Sequence, residues 1–432
     1  MLLNFEVENW TCFRGKAGIS MQAGPEHDPH NRLLLVGAES RPLKILPVAV
    51  VYGNNASGKT QLIRALRFVQ DLVVGKLDDA HLPVEPYAFD PATETAPSRF
   101  VVQFVIDETV YELRLLVSSD RIVSEELFSY GVRATSRKPL FKRSENKIET
   151  FGEWGGDDLR KYVGSLTIAP TKSFISVSAM FLAKTPVVAQ VLDWFMNTLH
   201  VITPEARYVA VEDYCEPGDI AARTHEYLER FDVGIKKLVP EVVQIDSFST
   251  KILSEVRKQL ASQKTVRRIL DRNVFIFDID EKKTLRARKL FAMHECQDGS
   301  QKPLPMDCES DGTRRMLDLV PAVASAMECH ESSVFVIDEI DRSLHHLVTR
   351  ALVEDFIASC RPAGRAQLIF TTHDLLLMTQ DIFRRDEMNV TDKAPDGAAT
   401  ICSISDFEGL KSDTKILPYY LDGRFGGIPR SI

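Results

Sequence analysis

Apolar runs and regular apolar spacings predict alternating strands and helices at both ends of the chain. Pro47 to Tyr52 is a continuous apolar run of strand length that leads into a glycine turn, a pattern typical of a strand buried on both faces. From Thr60 to Val74, apolar residues recur every three or four positions, which predicts an amphipathic helix. Such alternation predicts a mainly parallel sheet flanked by helices, and therefore an α/β fold. The same pattern predicts strands at 332–338 and 366–373 and helices at 313–327 and 347–358.

Two other regions follow different patterns. The alternation of apolar and polar residues predicts two strands in residues 1–22. From Arg99 to Tyr130 the pattern predicts three strands joined by short turns, which favours an antiparallel β subdomain. The middle of the chain is less regular. We expect three segments. The two halves of one α/β domain lie at 1–150 and 305–432, and a mainly helical insertion lies between them at 151–304. Within the insertion, the spacing predicts helices at Pro186 to Leu199 and Ile252 to Leu270, and strands at 273–278 and 286–293.

The turn after the first buried strand carries the most specific motif of the chain. Glycines let backbone N–H groups wrap a phosphate chain, a lysine places its charge on the β and γ phosphates, and a threonine hydroxyl ligates Mg²⁺. Because the motif lies between a buried strand and an amphipathic helix, it predicts a site for a nucleoside triphosphate with Mg²⁺. The residues that match G-x-x-x-x-G-K-[ST] are Gly53, Asn54, Asn55, Ala56, Ser57, Gly58, Lys59 and Thr60.

Two later strands end in residues that suit the same chemistry. Asp338 and Glu339 close the strand at 332–338; the first would complete the Mg²⁺ shell, and the second would polarise the attacking water. His373 closes the strand at 366–373, where a histidine can reach a γ-phosphate. Each feature alone also suits an ordinary surface turn. Because both strand ends follow the G-x-x-x-x-G-K-[ST] motif in the sequence, the three features together favour catalytic roles for Lys59, Glu339 and His373.

A serine and a glycine begin the helix that precedes the acidic strand, within Glu309 to Arg315. Ser310 is a natural N-cap, and Gly312 permits close approach of another group. Capping alone would explain both residues. A functional interpretation compatible with capping is that Ser310 and the helix N-terminus bind a γ-phosphate held by a second subunit.

Composition narrows the setting. Apolar residues make up 44% of the 432 residues, enough for a folded core, and the net charge of −8 argues against nucleic-acid binding over the whole surface. Seven scattered cysteines without a Cys-x-x-Cys pair favour free thiols in a reducing compartment. The sequence shows no signal-peptide pattern and no apolar run of bilayer length. We expect a soluble cytoplasmic protein without a membrane partner.

One basic segment departs from this acidic balance. Residues 251–290 contain twelve Lys and Arg and five acids, an excess of seven positive charges. Such a segment suits contact with nucleic acid or with an acidic phage protein. Alternatively it is a solvated helix face, since only Phe275 and Phe277 lie among the basic residues.

The motif set resembles the ABC ATPases of the RecF and SMC branch. In that resemblance 53–60 is Walker A, Ser310 to Thr313 the signature motif, Asp338 and Glu339 Walker B, Asp341 to His345 the D-loop, and His373 the switch histidine. More narrowly, ESDGTRR, IDEIDRSLH, QLIFTTHDLLLM, RRDEM and the ending YLDGRFGGIP resemble the short stand-alone ATPases of bacterial abortive-infection and anti-phage operons, including the PARIS-type ATPases.

The resemblance implies ATP and Mg²⁺ as ligands, with Asp341 at the nucleotide. It also implies an ATP-sandwich homodimer, or a higher oligomer, that senses infection or restrains a separately encoded nuclease or toxin. Two features depart from the family. The Q-loop glutamine has no counterpart, because Gln103 falls in a strand and PVEPYAFD (83–90) occupies the expected place. The middle region also lacks a long heptad pattern, which argues against a DNA-bridging coiled coil.

Two functions remain open from the sequence. The first is an anti-phage regulatory ATPase whose ATP-bound dimer holds or releases a toxic effector. The second is a RecF/SMC-like DNA-repair or genome-maintenance ATPase that binds DNA directly. A transporter subunit fits poorly, because the antiparallel segment and N-terminal strand are unlike that branch.

Overall fold

The chain forms two compact units in the computed structural model, which describes residues 1–26, 28, 31–77, 80–134, 136–145, 147–155, 168–182, 185–204, 219–231, 234–261, 265–271, 273–280, 283–328, 332–411 and 414–428. The first unit consists of Met1–Ala206, Cys329–Asp341 and Val353–Ile432. The second consists of Arg207–Glu328 and Arg342–Leu352. Each unit is therefore built from segments that are distant in the sequence.

The strands, in chain order, are β1 Leu2–Glu8, β2 Ala17–Ser20, β3 Leu34–Val36, β4 Leu43–Ile45, β5 Val48–Gly53, β6 Ser98–Ile106, β7 Thr109–Val117, β8 Ile122–Gly131, β9 Lys138–Ser144, β10 Lys147–Thr150, β11 Leu199–Ile202, β12 Ile235–Val243, β13 Thr265–Leu270, β14 Asn273–Ile279, β15 Leu285–Glu295, β16 Gln301–Pro305, β17 Ser333–Ile337, β18 Ala366–Thr371, β19 Met388–Lys393 and β20 Ala399–Ser403. The helices are α1 Lys59–Val73, α2 Pro91–Glu94, α3 Phe174–Leu182, α4 Pro186–Asp193, α5 Asp219–Arg230, α6 Thr250–Leu260, α7 Asp311–Glu328, α8 His346–Ser359 and α9 Ile416–Leu421.

A six-stranded sheet in the order β11-β17-β18-β5-β19-β20 lies at the centre of the first unit. All neighbouring strands are parallel except β19 and β20. Every residue of β5 and β17 is buried, because strands inside a helix-covered parallel sheet have no solvent face. The predicted mainly parallel sheet is confirmed, and so are its predicted strands at 47–52, 332–338 and 366–373.

The antiparallel subdomain is also confirmed, and it is larger than predicted. Seven strands pair in the order β10-β9-β8-β7-β6-β1-β2. Helix α1 makes contacts with β1 of this sheet and with β5 of the parallel sheet. Its apolar stripe, which includes Leu62, Leu66 and Val69, shares one core with Phe5 and Val51. The end of β5 and the start of α1 are thereby fixed from two sides.

The second unit contains an antiparallel sheet in which β15 pairs with β12 on one side and with β14 and β16 on the other, while β13 pairs with β14. The insertion is therefore mixed rather than mainly helical. The predicted helix over Ile252 to Leu270 is wrong beyond Leu260, where α6 ends. Val266 in β13 faces Phe277 across the β13–β14 pair, and both side chains are buried, so cross-strand packing overrides local helix propensity there.

Candidate nucleotide-binding site

The G-x-x-x-x-G-K-[ST] motif forms the turn between β5 and α1. Gly53 and Gly58 have φ angles of 149° and 111°, which a residue with a side chain rarely adopts. A Cβ atom at Gly53 would also lie 2.1 Å from Thr391 Oγ1. The turn therefore needs glycine at its start, and its backbone leads directly into the N-terminus of α1, where free N–H groups favour an anion.

Lys59, the first residue of α1, is 5% exposed. Its Nζ donates hydrogen bonds to the carbonyl oxygens of Gly53 at 2.7 Å and Asn54 at 3.1 Å. Burial lowers the Lys59 pKa to about 8, although the nearby carboxylates of Asp338 and Glu339 act in the opposite direction. The ammonium group thus lies within the turn, next to the acids that follow β17.

Asp338 and Glu339 share one hydrogen-bonding partner, Thr371 at the end of β18. The Thr371 hydroxyl donates to Asp338 Oδ1 at 2.6 Å and accepts from the Glu339 N–H at 2.8 Å. Asp338 is fully buried, whereas Glu339 has a left-handed φ of 51° and lines a cavity in this unit. The two neighbouring carboxylates therefore have different surroundings, one in the core and one at the cavity.

His373 lies on the loop after β18 and also lines the cavity. Its backbone N–H donates to the two carboxylate oxygens of Asp341 at 3.2 and 3.3 Å. Burial, followed by the charge of Lys59, lowers the His373 pKa below its usual value, against the opposing effect of three nearby carboxylates. A neutral imidazole at pH 7 can donate or accept a hydrogen bond.

The cavity has a volume of about 800 Å³, which suits a ligand of nucleotide size. It brings residues 55–60 together with Glu339 and His373. The cavity lining does not include four other predicted site residues. They instead hydrogen-bond to Lys59, to the end of β18 or to the loop that bears His373: Gly53, Asn54, Asp338 and Asp341. The remaining lining residues are Thr11, Cys12, Gln61, Val84, Glu85, Pro86, Ala88, Phe89, Glu94 and Lys393.

Sequence reasoning missed most of that last group, although one signal was available. PVEPYAFD was noted as the stretch at the expected Q-loop position, and five of its residues line the cavity. Gln103 lies elsewhere, in β6, where its side chain donates to Glu112 Oε2 at 2.7 Å. Thr11 and Cys12 carry no motif of their own, but they follow β1, which packs against α1.

The oxygen donors near the turn fit Mg²⁺. Thr60 offers a hydroxyl and Asp338 a carboxylate, and Mg²⁺ is commonly held by one or two such groups together with waters and substrate phosphates. Over the described ranges, no group of three or more His, Cys, Asp and Glu side chains is placed to hold a metal ion without such help. A metal at this position would therefore depend on the phosphates.

Ser310 and Gly312 belong to the second unit, at the N-terminus of α7. Ser310 Oγ accepts from the Thr313 N–H at 3.0 Å, so the predicted N-cap is present. A Cβ atom at Gly312 would lie 2.7 Å from the carbonyl oxygen of Ser343. The close approach that the glycine permits is therefore to the segment after Asp341, whose Ser343 has a left-handed φ of 61°.

Part of the basic segment is paired with an acid in the folded chain. Arg286 and Arg288 both bind the buried carboxylate of Asp278, at distances of 2.6 to 3.0 Å. Lys251, Arg257 and Lys258 on α6 are exposed. Lys264, Arg272, Glu281 and Lys282 lie outside the described residues.

A sequence profile of the family described as "AAA domain, putative AbiEii toxin, Type IV TA system" matches residues 48–379. No curated protein matches the chain. Among solved structures, the SMC head domain from Thermotoga maritima is similar at 12% identity and a TM-score of 0.37, over 93% of this chain and 98% of that chain. The recombination mediator RecF bound to ATP is similar at 13% identity and a TM-score of 0.29, over 93% of this chain and 97% of that chain. None of the helices in the described ranges is long and apolar enough to cross a membrane.

Proposed function

The chain belongs to this AAA-domain family, and on that premise we propose that it is an ATP-gated homodimeric switch of a bacterial anti-phage system. As a P-loop ATPase, it would couple ATP binding and hydrolysis to the control of a separately encoded nuclease or toxin. The observation that carries the proposal is the 800 Å³ cavity, where the phosphate-binding turn, Glu339 and His373 meet.

Each polar group at the cavity has a role in this proposal. The 53–60 backbone and Lys59 hold the phosphates, and Glu339 positions and polarises the attacking water. His373 contacts the γ-phosphate, while Asp341 holds the His373 backbone. Mg²⁺, bound by Thr60 and Asp338 with the phosphates, would neutralise charge that develops during phosphoryl transfer.

The proposed dimer is supported by the absence of Ser310 from the residues that line the cavity. All residues that line the cavity belong to the first unit, whereas Ser310 begins a helix of the second. In the proposed dimer, the α7 N-terminus of one chain completes the phosphate site of its partner. ATP then acts as part of the interface, so occupancy of the site controls assembly.

A defence role is supported by the family description, which names a type IV toxin–antitoxin system. The description itself speaks of a toxin. We place the toxic activity on a separate effector, as the resemblance to the stand-alone anti-phage ATPases implies. The trigger would be an infection signal, for which the exposed basic residues of α6 offer a surface for an acidic phage protein or a nucleic acid.

A mixing experiment tests the composite site. Lys59→Ala removes the phosphate-binding lysine, and Ser310→Ala removes the serine that the partner supplies. Each variant alone should lose ATPase activity. An equimolar mixture should recover up to about half of wild-type turnover, because only mixed dimers contain an intact site and each of them pairs that site with a doubly damaged one.

Absence of recovery in the mixture, with both variants folded by circular dichroism, would show that Ser310 does not act across a dimer. Each variant alone, at the same total protein concentration as the mixture, provides the control. Normal ATP binding by Lys59→Ala would show that residues 53–60 do not form the phosphate-binding site.

The DNA-binding alternative rests on Lys251, Arg257 and Lys258, which are exposed on α6. If the protein binds duplex DNA directly, reversal of these charges to Glu should weaken binding and reduce its salt dependence. Binding that is absent in the wild type at 50 mM salt would exclude this alternative and leave the segment as a surface for an acidic protein or as a solvated helix face.

A further inference from the structure

The C-terminal sequence YLDGRFGGIP has no role in the chemistry described so far. After α9 the chain turns back through Gly423, Gly426 and Gly427, whose φ angles lie between 72° and 77°. These left-handed angles fold residues 423–427 into a compact turn, which we name the C-terminal turn. Its position on the parallel sheet gives it a connection with the phosphate-binding residues.

The C-terminal turn is fixed on β19. The Gly427 N–H donates to Asp392 Oδ1 at 2.9 Å, and Tyr420 Oη donates to the Gly427 carbonyl oxygen at 2.7 Å. A Cβ atom at Gly427 would lie 2.6 Å from Val390 Cγ1 and 3.0 Å from the Thr391 carbonyl oxygen. The turn therefore lies directly against the backbone of Val390 to Asp392, with no space for a side chain.

The same part of β19 holds the phosphate-binding turn. In the β5–β19 register, Thr391 is paired with Gly53. A carbonyl oxygen can only accept, so the Thr391 hydroxyl donates to the Tyr52 carbonyl at 3.1 Å, and the Ser57 hydroxyl donates to Thr391 Oγ1 at 2.5 Å. Thr391 thus links the end of β5 to the middle of the turn in a buried hydrogen-bonded chain.

We propose that Thr391 is a positioning residue of the triphosphate site and that the C-terminal turn holds Thr391 in place. Thr391 is fully buried and touches the turn from behind. It acts through Ser57 and the Gly53 backbone, which set the direction of the N–H groups that face the phosphates. The inference rests on the proposal that residues 53–60 bind the nucleotide.

The hydroxyl is tested by a matched pair, Thr391→Val and Thr391→Ser. Valine keeps the shape but removes the hydrogen-bonding chain, whereas serine keeps the hydroxyl. We expect Thr391→Val to raise the Kd and KM for ATP about tenfold while kcat changes less, because both buried hydrogen bonds of the Thr391 hydroxyl are lost. Thr391→Ser should stay within about threefold of the wild type in both.

The C-terminal turn is tested by Gly427→Ala, with Gly409→Ala as its control. Both glycines have left-handed φ angles, 73° and 80°, so alanine introduces comparable backbone strain. An added Cβ meets Val390 at position 427 but nothing within 4 Å at position 409. Only Gly427→Ala should weaken ATP binding, measured by titration with a fluorescent ATP analogue well below the melting temperature of either variant.

Wild-type affinity in Thr391→Val would overturn the inference, and so would equal effects of the two glycine substitutions. Lys59→Ala separates this failure from failure of the site itself. If Lys59→Ala loses ATP binding while Thr391→Val retains it, the site stands and the positioning role falls. If Lys59→Ala binds ATP normally, the site assignment fails.

Discussion

Lys59 gives the site a pH dependence. Because burial lowers its pKa to about 8 in the free protein, and bound phosphates would favour the charged ammonium, ATP binding above pH 8 must be accompanied by proton uptake. We expect affinity to be nearly constant from pH 6.5 to 7.5 and to fall by up to about tenfold per pH unit above pH 8. Isothermal titration calorimetry of ATP binding across pH 7–9.5 measures this slope.

Lys59→Arg is the matched control for this slope, since a guanidinium stays charged over the whole range. Its ATP affinity should be weaker but flat with pH. A wild-type affinity that is equally flat to pH 9.5 would mean that Lys59 keeps its ordinary pKa in the folded protein.

Glu339 is expected to govern hydrolysis without governing binding. Its side chain lines the cavity, and glutamine preserves its length while removing the base. Glu339→Gln should lower kcat by about 100-fold or more with ATP affinity within a few-fold of the wild type. Single-turnover hydrolysis measures the chemical step, and Glu408→Gln on the exposed surface is the control. Unchanged turnover would remove Glu339 from the catalytic role.

At the residue scale, the sequence indicates residues that stand in contiguous motifs. Residues 53–60 and the Asp338–Glu339 pair are recognisable because their spacing is itself the signal. Thr371 and Thr391 are not recognisable in this way. Each reaches the site only because parallel strands bring distant segments into register, and a lone threonine in a strand has no distinguishing pattern.

The N-terminus of α7 allows capping and phosphate binding to be separated. Ser310→Ala should lower the free energy of unfolding by about 1 kcal/mol, the usual effect of losing an N-cap. Ser310→Asp should retain the cap. Its carboxylate would, however, repel a γ-phosphate, so this variant should remain stable and yet fail to form the ATP-bound dimer. Urea unfolding and light scattering measure the two effects.

Ser310→Asp that dimerises normally with ATP would leave Ser310 with capping as its only role. The wild type provides the reference in both measurements, and Thr313→Val tests whether the side-chain contact between Ser310 and Thr313 at 2.8 Å contributes separately.

At the element scale, long apolar patterns predict structure well where the burial of a helix or strand stays the same along its whole length. The fully buried β5 and β17 and the amphipathic α1 are of this kind. Polar strands such as β19, MNVTDK, carry little pattern and were not predicted, although every residue from Met388 to Thr391 is buried. In the insertion, β13 follows α6 so closely that local spacing does not separate them. The division into 1–150, 151–304 and 305–432 stays a prediction.

At the scale of the whole molecule, we expect ATP to change the mass of the assembly in solution. Glu339→Gln with ATP and Mg²⁺ should shift from the 48.6 kDa chain to twice that mass or to a larger assembly, because the nucleotide forms part of the proposed interface. Multi-angle light scattering gives the mass directly. Lys59→Ala under the same conditions should keep the mass of a single chain. A mass that does not depend on ATP in either variant would contradict the switch.

The strand order of the parallel sheet has a consequence for synthesis on the ribosome. Strand β5, which carries the phosphate-binding turn, pairs with β18 and β19, and both are translated more than 300 residues later. At an elongation rate of about 5–20 residues per second, the nascent β5 waits on the order of half a minute for its neighbours. A chain released before β18 would therefore carry the complete Walker A sequence and still lack an ATP site. Truncated products of translation should neither bind nor hydrolyse ATP.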